Sequence, residues 1–226
     1  MTDLPRACTV ADARRVCALV PAYNEGLRMA STIGALRARR EIGCIVVCDD
    51  GSTDGSAEAA RAAGADLVIT QPNRGKGAAL TAAYRAAPSN ADLFLLLDAD
   101  LGASASEAVK LLPPDPDFAA SGQRGGSGLV VRLARWGIHR RTGQTFAQPL
   151  SGQRGVRRAV LDTMGGQFAP GFGVEVALTL SALGSGYRLV EVPTFFRHHV
   201  TGGDWRSLSH RARQLVDVAR VVLRAR

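Results

Sequence analysis

Two carboxylates, Asp98 and Asp100, stand one residue apart directly after the apolar run Leu93–Leu97. That run is typical of a buried parallel strand, and alternation along an extended chain puts positions 98 and 100 on the same side. Two acids held side by side repel each other unless a positive group lies between them. A divalent cation carrying a diphosphate meets this need, because hard oxygen ligands suit Mg²⁺ or Mn²⁺. The alternative is a pair of solvated acids, or an N-cap beside a surface charge.

Two polar motifs follow earlier apolar runs of the chain. Val20–Glu25 closes the first run, and Glu25 could accept hydrogen bonds from a nucleoside or act as an acid at a helix N-terminus. Asp49–Ser56 closes the second run, and the adjacent acids Asp49 and Asp50 could contact a base N–H or ribose hydroxyls. An Asx-turn followed by an N-cap is the alternative for the second motif, but it leaves the two adjacent acids unexplained.

A glycine-rich motif, Asn73–Gly77, leads into a third helix. Glycines let the backbone approach a ligand closely, and a helix N-terminus favours anions. Lys76 could therefore contact a diphosphate or a base carbonyl. The spacing of a Walker loop is absent.

The elements that must position these motifs alternate between strand and helix in the first half of the chain, which indicates βαβ units and a mostly parallel sheet. Predicted strands are 16–20, 44–48, 67–70 and 93–97, and predicted helices are 27–39, 57–63 and 77–87. In the second half, a loop is predicted at 121–128, helices at 129–139, 156–164, 174–183 and 208–223, and a strand at 187–192. The last helix has an arginine-rich face, which leaves peripheral membrane contact open beside simple packing on the domain.

The four motifs, in this order and spacing, resemble the GT-A glycosyltransferases of the family 2 type. The resemblance implies a single α/β domain with a Rossmann-like, mostly parallel central sheet flanked by helices, and a nucleotide-sugar donor, most often UDP-linked. It also implies donor-site roles: Pro21, Ala22 and Glu25 at the nucleoside, Asp49 and Asp50 at the uracil with Lys76 nearby, Asp98 and Ala99 near the ribose, and Asp100 on the metal.

The second half is similar to glucosyl-3-phosphoglycerate synthases and related bacterial transferases in Pro149–Arg154, Gly171–Glu175 and His198. This likeness implies that Glu175 holds a sugar hydroxyl or assists the acceptor, and that His198 is a second metal ligand beside Asp100. It also implies that Leu150, Ser151 and Gly152 face the donor sugar, and that Arg124 and Gly125 of the loop 121–128 contact an acceptor phosphate.

The function expected from these resemblances is transfer of a sugar from a UDP-sugar to an anionic acceptor, either a phosphorylated small molecule or a polyprenyl phosphate. Glu175 would act as the base in an inverting enzyme and would orient the sugar in a retaining one. One alternative is a sugar nucleotidyltransferase, for which a loop rich in glycine and arginine is expected after the first strand. The other is a protein that binds a nucleotide sugar without turnover.

Charge is unevenly distributed in this 226-residue chain of formal net charge +8. Residues 1–115 carry 12 basic and 14 acidic groups, whereas residues 116–226 carry 16 basic and 6 acidic groups. The excess is arginine, which suits an anionic ligand or a membrane surface. A nucleic-acid partner is not expected, because the basic half lacks an array of aromatic residues for base stacking.

The predicted organisation is a flexible tail at 1–15, a nucleotide-sugar-binding half at 16–115 and an acceptor-binding half at 116–226. No apolar run reaches the length of a membrane span, and residues 1–15 lack the apolar core of a signal peptide. We therefore expect a cytoplasmic protein, with the inner face of the membrane as an alternative and a homodimer left open. The cysteines show no CxxC spacing, which favours buried, reduced thiols.

Overall fold

The computed structural model describes residues 16–112, 117–122, 128–198 and 216–223. A seven-stranded sheet has the order β3-β2-β1-β4-β6-β5-β7. The strands are β1 (Val16–Ala22), β2 (Cys44–Asp49), β3 (Leu67–Thr70), β4 (Leu93–Leu96), β5 (Phe118–Ser121), β6 (Arg154–Arg157) and β7 (Leu189–Val192). The α-helices are α1 (Leu27–Arg37), α2 (Ser56–Ala62), α3 (Lys76–Ala86), α4 (Leu129–Thr142), α5 (Arg158–Asp162) and α6 (Val174–Gly184).

The sheet is mostly parallel, as predicted: β6 is the strand that runs antiparallel to its neighbours β4 and β5. Strand order reverses at β1, which pairs with β2 on one side and β4 on the other, both in parallel. In open α/β sheets a ligand binds outside the carboxyl ends of the strands at such a switch point. The first and last predicted donor motifs, which follow β1 and β4, therefore emerge side by side.

Both faces of the central strands are covered, which explains their near-continuous apolar runs. Along β1, Val16, Ala18 and Val20 pack on one side with α1 and the 3₁₀ helix Gly102–Leu111, while Cys17 and Leu19 pack on the other side with α3 and α6. A third apolar cluster joins α4, α6 and the helical residues 216–223. These layers fix the strand ends that carry the polar motifs.

The predicted elements of the first half are confirmed to within about two residues. The second half differs in two places. Residues 154–157 form a strand before the short helix α5, so the helix predicted from 156 begins too early, and β5 was not predicted at all. Both strands are four residues long, and β6 contains two arginines, so their hydrophobic pattern is too weak for detection from sequence.

Several predictions fall on residues outside the described ranges. They are the tail 1–15, the half boundary at 115/116, most of the loop 121–128, and the first part of the helix predicted at 208–223, of which residues 216–223 are helical. Cys17, Cys44 and Cys48 are buried, as expected. Within the described ranges, no helix combines the length and apolarity required to cross a bilayer.

Candidate active site

A cleft of about 480 Å³ opens at the carboxyl ends of β1 and β4. It brings together residues from both halves of the chain, which are far apart in sequence. Its lining consists of Pro21, Ala22, Tyr23, Glu25, Asp50, Lys76, Ala79, Asp98, Ala99, Asp100, Val130, Leu150, Gly152, Glu175, His198 and Val218. The sequence therefore predicted most of the polar residues of one continuous site.

Asp98, Asp100 and His198 form a group that could hold a metal ion. One ligand atom from each residue lies within 4.8 Å of the other two. His198 Nδ1 lies 3.1 Å from Asp100 Oδ1, although 98 positions separate the residues in the chain. Two carboxylates and an imidazole fit Mg²⁺ or Mn²⁺, with the imidazole favouring the softer manganese. The residues present therefore fit the ion expected from the sequence.

The charge at this group favours a cation. The hydrogen bond with Asp100 raises the pKa of His198, despite the opposing effect of partial burial. Burial, and then the negative charge of Asp100, raise the pKa of Glu25 on the other side of the cleft. The contribution of Asp100 to each shift has the sign expected where acidic side chains converge without a full set of positive partners.

Lys76 links the acid group to Glu175. Its Nζ donates hydrogen bonds to Asp98 Oδ1 and to Glu175 Oε1, both at 2.8 Å. Burial disfavours the ammonium, but the two carboxylates outweigh this effect and raise the pKa of Lys76. Burial likewise opposes ionisation of Asp98, and the charge of Lys76 overrides it and lowers the pKa of Asp98. Lys76 is therefore a fixed positive charge at the centre of the cleft.

Thr32 of α1 holds the peptide between the two acids. Its fully buried hydroxyl donates to the Ala99 carbonyl at 2.7 Å and accepts the Gly102 N–H at 2.8 Å. A buried hydroxyl with two such partners fixes the backbone that carries Asp98 and Asp100. Thr32 is therefore a positioning residue for the metal-binding group.

Replacing Thr32 by valine keeps the shape but leaves the Ala99 carbonyl and the Gly102 N–H without this partner. We expect Mn²⁺ affinity to fall about tenfold, as for other residues that orient metal ligands. Electron paramagnetic resonance of free Mn²⁺ measures the affinity directly. Thr32→Ser retains the hydroxyl and is expected to bind Mn²⁺ like the wild type; wild-type affinity in Thr32→Val would contradict the assignment.

The two adjacent acids after β2 separate in the structure. Asp50 lines the cleft, and its carboxylate accepts hydrogen bonds from Gln71 Nε2 at 2.6 Å and from the N–H groups of Arg74 and Gly75 at 3.0 and 2.6 Å. Asp49 accepts hydrogen bonds from the Ser52 N–H and hydroxyl and lies in a different depression. Asp49 thus closes a turn, and its predicted uracil contact finds no support in the geometry.

The loop before α3 differs from the expected anion cradle. The N–H groups of Arg74 and Gly75 donate to the carboxylate of Asp50, so these two donors are already engaged within the protein. Lys76 is the member of this motif that projects its charge into the cleft. The role of Lys76 at a diphosphate stays a prediction.

The loop that carries Leu150 and Gly152 is held by Arg154, whose side chain is 1% exposed. The guanidinium donates to the carbonyls of Ser151 and Pro149 at 2.8 and 3.0 Å, and to Thr179 Oγ1 of α6 at 2.8 Å. Burial lowers the pKa of Arg154 to about 10, so the group stays charged at neutral pH. The loop is thereby attached to the helix that presents Glu175.

Gly152 is the point of closest approach in this loop. A Cβ at this position would lie 2.8 Å from both Asp98 Oδ2 and Lys76 Nζ. A glycine therefore lets the loop close over the charged centre without displacing the ends of these two side chains. Gln153, buried beside it, donates from Nε2 to Asp98 Oδ2 at 2.6 Å and so occupies the second oxygen of that carboxylate.

Besides Asp49, three predicted site residues do not appear in the described lining of the cleft. Ser151 lies next to it, with its hydroxyl 3.3 Å from Gln153 Oε1. Arg124 and Gly125, predicted at the acceptor phosphate, lie outside the described residues. Their roles stay predictions.

Sequence reasoning missed the supporting residues Thr32, Gln153 and Arg154 and the lining residues Tyr23, Val130 and Val218. Gln153 and Arg154 belong to the motif Pro149–Arg154, so their proximity to Gly152 was the available signal. Thr32 is an ordinary helix residue in sequence, and no local signal distinguishes it. Val130 and Val218 carry the 3.6-residue pattern of core helices, which gives no hint of a cleft.

The profile of Glycosyl transferase family 2 matches residues 17–162, which include the strands that bear the donor motifs. Glycosyltransferase AglJ of Haloferax volcanii is 34% identical over 205 residues, which cover 84% of this chain and 65% of the archaeal protein. This chain thus spans just under two thirds of that relative.

Two further proteins match over most of their length. Polyprenol monophosphomannose synthase of Mycolicibacterium smegmatis is 27% identical, with coverage of 96% of this chain and 91% of that protein. Glucosyl-3-phosphoglycerate synthase of Mycobacterium tuberculosis, solved in complex with Mn²⁺, UDP and phosphoglyceric acid, superposes with a TM-score of 0.79 at 26% identity. The superposition covers 94% of this chain and 78% of that one.

Proposed function

The chain belongs to glycosyltransferase family 2, and we propose that it transfers a sugar from a UDP-sugar to a phosphorylated acceptor with the help of Mg²⁺ or Mn²⁺. The observation that carries the proposal is the convergence of Asp98, Asp100 and His198 beside Lys76 and Glu175 in one cleft. The structural relative that holds Mn²⁺ and UDP supports the same donor chemistry.

The donor end of the cleft is formed by Pro21, Ala22, Glu25 and Asp50, at the switch point of the sheet. Carboxylates at the carboxyl ends of parallel strands suit base N–H groups and ribose hydroxyls. The diphosphate would lie toward Lys76 and the group of Asp100 and His198. When bound there, the divalent ion supplies charge neutralisation for the leaving diphosphate.

Three residues of the cleft have distinct roles in the proposed transfer. Lys76 presents a fixed positive charge to the departing phosphate and keeps Asp98 ionised. Gly152 permits the loop carrying Leu150 to close against this centre, where the sugar of the donor would lie. Glu175, 8% exposed and oriented by Lys76, faces the same space. It holds a sugar hydroxyl in a retaining reaction or takes the acceptor proton in an inverting one.

The acceptor is proposed to be a polyprenyl phosphate. The cleft wall beside Glu175 is apolar, because Val130 of α4, Leu150 and Val218 line it together. An apolar wall next to a cationic half of the chain suits a molecule with a phosphate and a hydrocarbon tail. The full-length match to a polyprenol monophosphomannose synthase supports this class over a small phosphorylated acid.

Incubating the protein with Mn²⁺, a prenyl phosphate and either UDP-glucose, UDP-GlcNAc or GDP-mannose tests the proposal. We expect release of UDP that depends on both acceptor and metal, and we expect EDTA to abolish it. Chromatography of the lipid product identifies the transferred sugar. If GDP-mannose is the only donor that releases its nucleoside diphosphate, the choice of a UDP-sugar is wrong. If the donors bind but none is turned over, the enzyme assignment is wrong.

A further inference from the structure

The outward face of α4 has an unusual composition for a surface helix. Leu129 and Trp136, one heptad apart, are 71% and 55% exposed, and the half-buried Leu133 lies between them. Arg132 and Arg140 are exposed on the same side. At 100° per residue, all five side chains fall within about 100° of one another. The face is thus an apolar stripe with arginines along it.

The helical residues 216–223 pack beside α4 and show the same pattern. Val222 lies against Gly137 of α4, where a Cβ would lie 2.4 Å from it, and its carbonyl accepts a hydrogen bond from Arg141 at 2.8 Å. Val216 and Leu223 are exposed, and at 100° per residue they share one side of this helix, about 100° or more away from Val222. Among the described residues, eight large hydrophobic side chains are exposed, and four of them belong to these two helices.

The charge of this surface is predominantly positive. Leu129–Thr142 contains four arginines and a histidine but no acidic residue. The neighbouring segment contributes Arg220, and its single acid, Asp217, lies 3.7 Å from that arginine. Arginines flanking exposed tryptophan and leucine are typical of helices that rest at the interface of an anionic bilayer.

The position of α4 connects this surface to the cleft. Val130, adjacent to Leu129, is part of the cleft lining, and Val218 of the neighbouring segment lies there too. A bilayer resting on the outer face of α4 would therefore bring the headgroup level close to the apolar wall beside Glu175. This juxtaposition suits an acceptor whose phosphate projects from a membrane.

We propose that the outer face of α4, with Leu129, Trp136, Arg132 and Arg140, docks the protein on an anionic lipid bilayer. The inference extends the proposed function by placing its acceptor end at the membrane. It is tested separately, because vesicle binding requires neither donor nor acceptor.

Flotation with vesicles of phosphatidylcholine and phosphatidylglycerol measures the docking. We expect the wild type to float with these vesicles, to bind phosphatidylcholine alone far more weakly, and to dissociate at high salt. Leu129→Ser with Trp136→Ser is expected to lower partitioning about tenfold, and Arg132→Gln with Arg140→Gln to lower it about fivefold per arginine. Leu27→Ser with Arg61→Gln, exposed on α1 and α2, should bind like the wild type.

Fluorescence gives an independent reading of the same contact. In a Trp205→Phe variant, Trp136 is the single remaining tryptophan. Its emission is expected to shift to the blue on addition of the anionic vesicles and to be quenched by brominated lipid. An unchanged spectrum, or equal flotation of the Leu129/Trp136 double variant, would overturn the proposal.

Two further outcomes separate the alternatives. If the double variant changes the oligomeric state in sedimentation while vesicle binding is unaffected, the face is a contact between copies of the chain, and the bilayer proposal fails. Transfer to a water-soluble, short-chain prenyl phosphate reports on the proposed function alone. The α4 variants should retain that transfer, and its absence in the wild type would refute the function without affecting the flotation result.

Discussion

Replacing Asp100 by asparagine is expected to remove the Mn²⁺ dependence of UDP binding and to lower transfer by about a thousandfold. The change keeps the size of the side chain but removes one negative charge from the group formed with Asp98 and His198. It also removes the carboxylate that raises the pKa of His198. Calorimetric titration of UDP with Mn²⁺, and again with EDTA, measures the effect.

A matched control removes one negative charge at a position outside the cleft. Glu58 is an exposed acid of α2, and Glu58→Gln should bind UDP and Mn²⁺ like the wild type. If Asp100→Asn retains tight UDP binding that EDTA abolishes, the ion is held elsewhere and the assignment of Asp100 is wrong.

Replacing Glu175 by glutamine is expected to lower kcat by about a hundredfold or more while leaving the Kd of UDP nearly unchanged. Glutamine can still accept the hydrogen bond from Lys76, so the local packing is retained. The carboxylate charge is lost, and with it the capacity to take a proton or to hold a sugar hydroxyl strongly. Steady-state transfer kinetics and UDP titration give the two readings.

The test is specific because kcat and the Kd of UDP are expected to respond differently to Glu175→Gln. A parallel loss of UDP affinity would show that Glu175 acts through the position of Lys76 and not on the sugar or acceptor. Glu41, a half-buried acid paired with Arg39 in the turn after α1, provides the charge control, and Glu41→Gln should alter neither the kcat nor the Kd of UDP.

The donor half of the site could be predicted because its chemistry is local in sequence. Strand ends, adjacent acids and a glycine-lysine pair are short patterns, and parallel strands bring their carboxyl ends together at one edge. Asp98, Asp100, Lys76 and Glu25 therefore appear in the cleft as expected. Asp49 does not line the cleft. Successive residues of an extended chain point to opposite sides, so Asp49 faces Ser52 while its neighbour Asp50 faces the cleft.

The second half could be predicted only through resemblance. His198 meets Asp100 across 98 positions, and Lys76 meets Glu175 across 99, which no spacing rule anticipates. Arg154 sits in a strand, fully buried among carbonyls, whereas an arginine in a short segment ordinarily indicates an exposed position. Such contacts depend on tertiary packing, which overrides local propensity.

The position of the bound metal tests the central claim most directly. Crystals grown with Mn²⁺ and UDP, measured at the manganese absorption edge, locate the ion by anomalous scattering. We predict one strong peak in the cleft, in contact with Asp100 and His198 and next to the diphosphate of UDP. UDP bound in the cleft without such a peak, or a peak distant from both residues, would contradict the account.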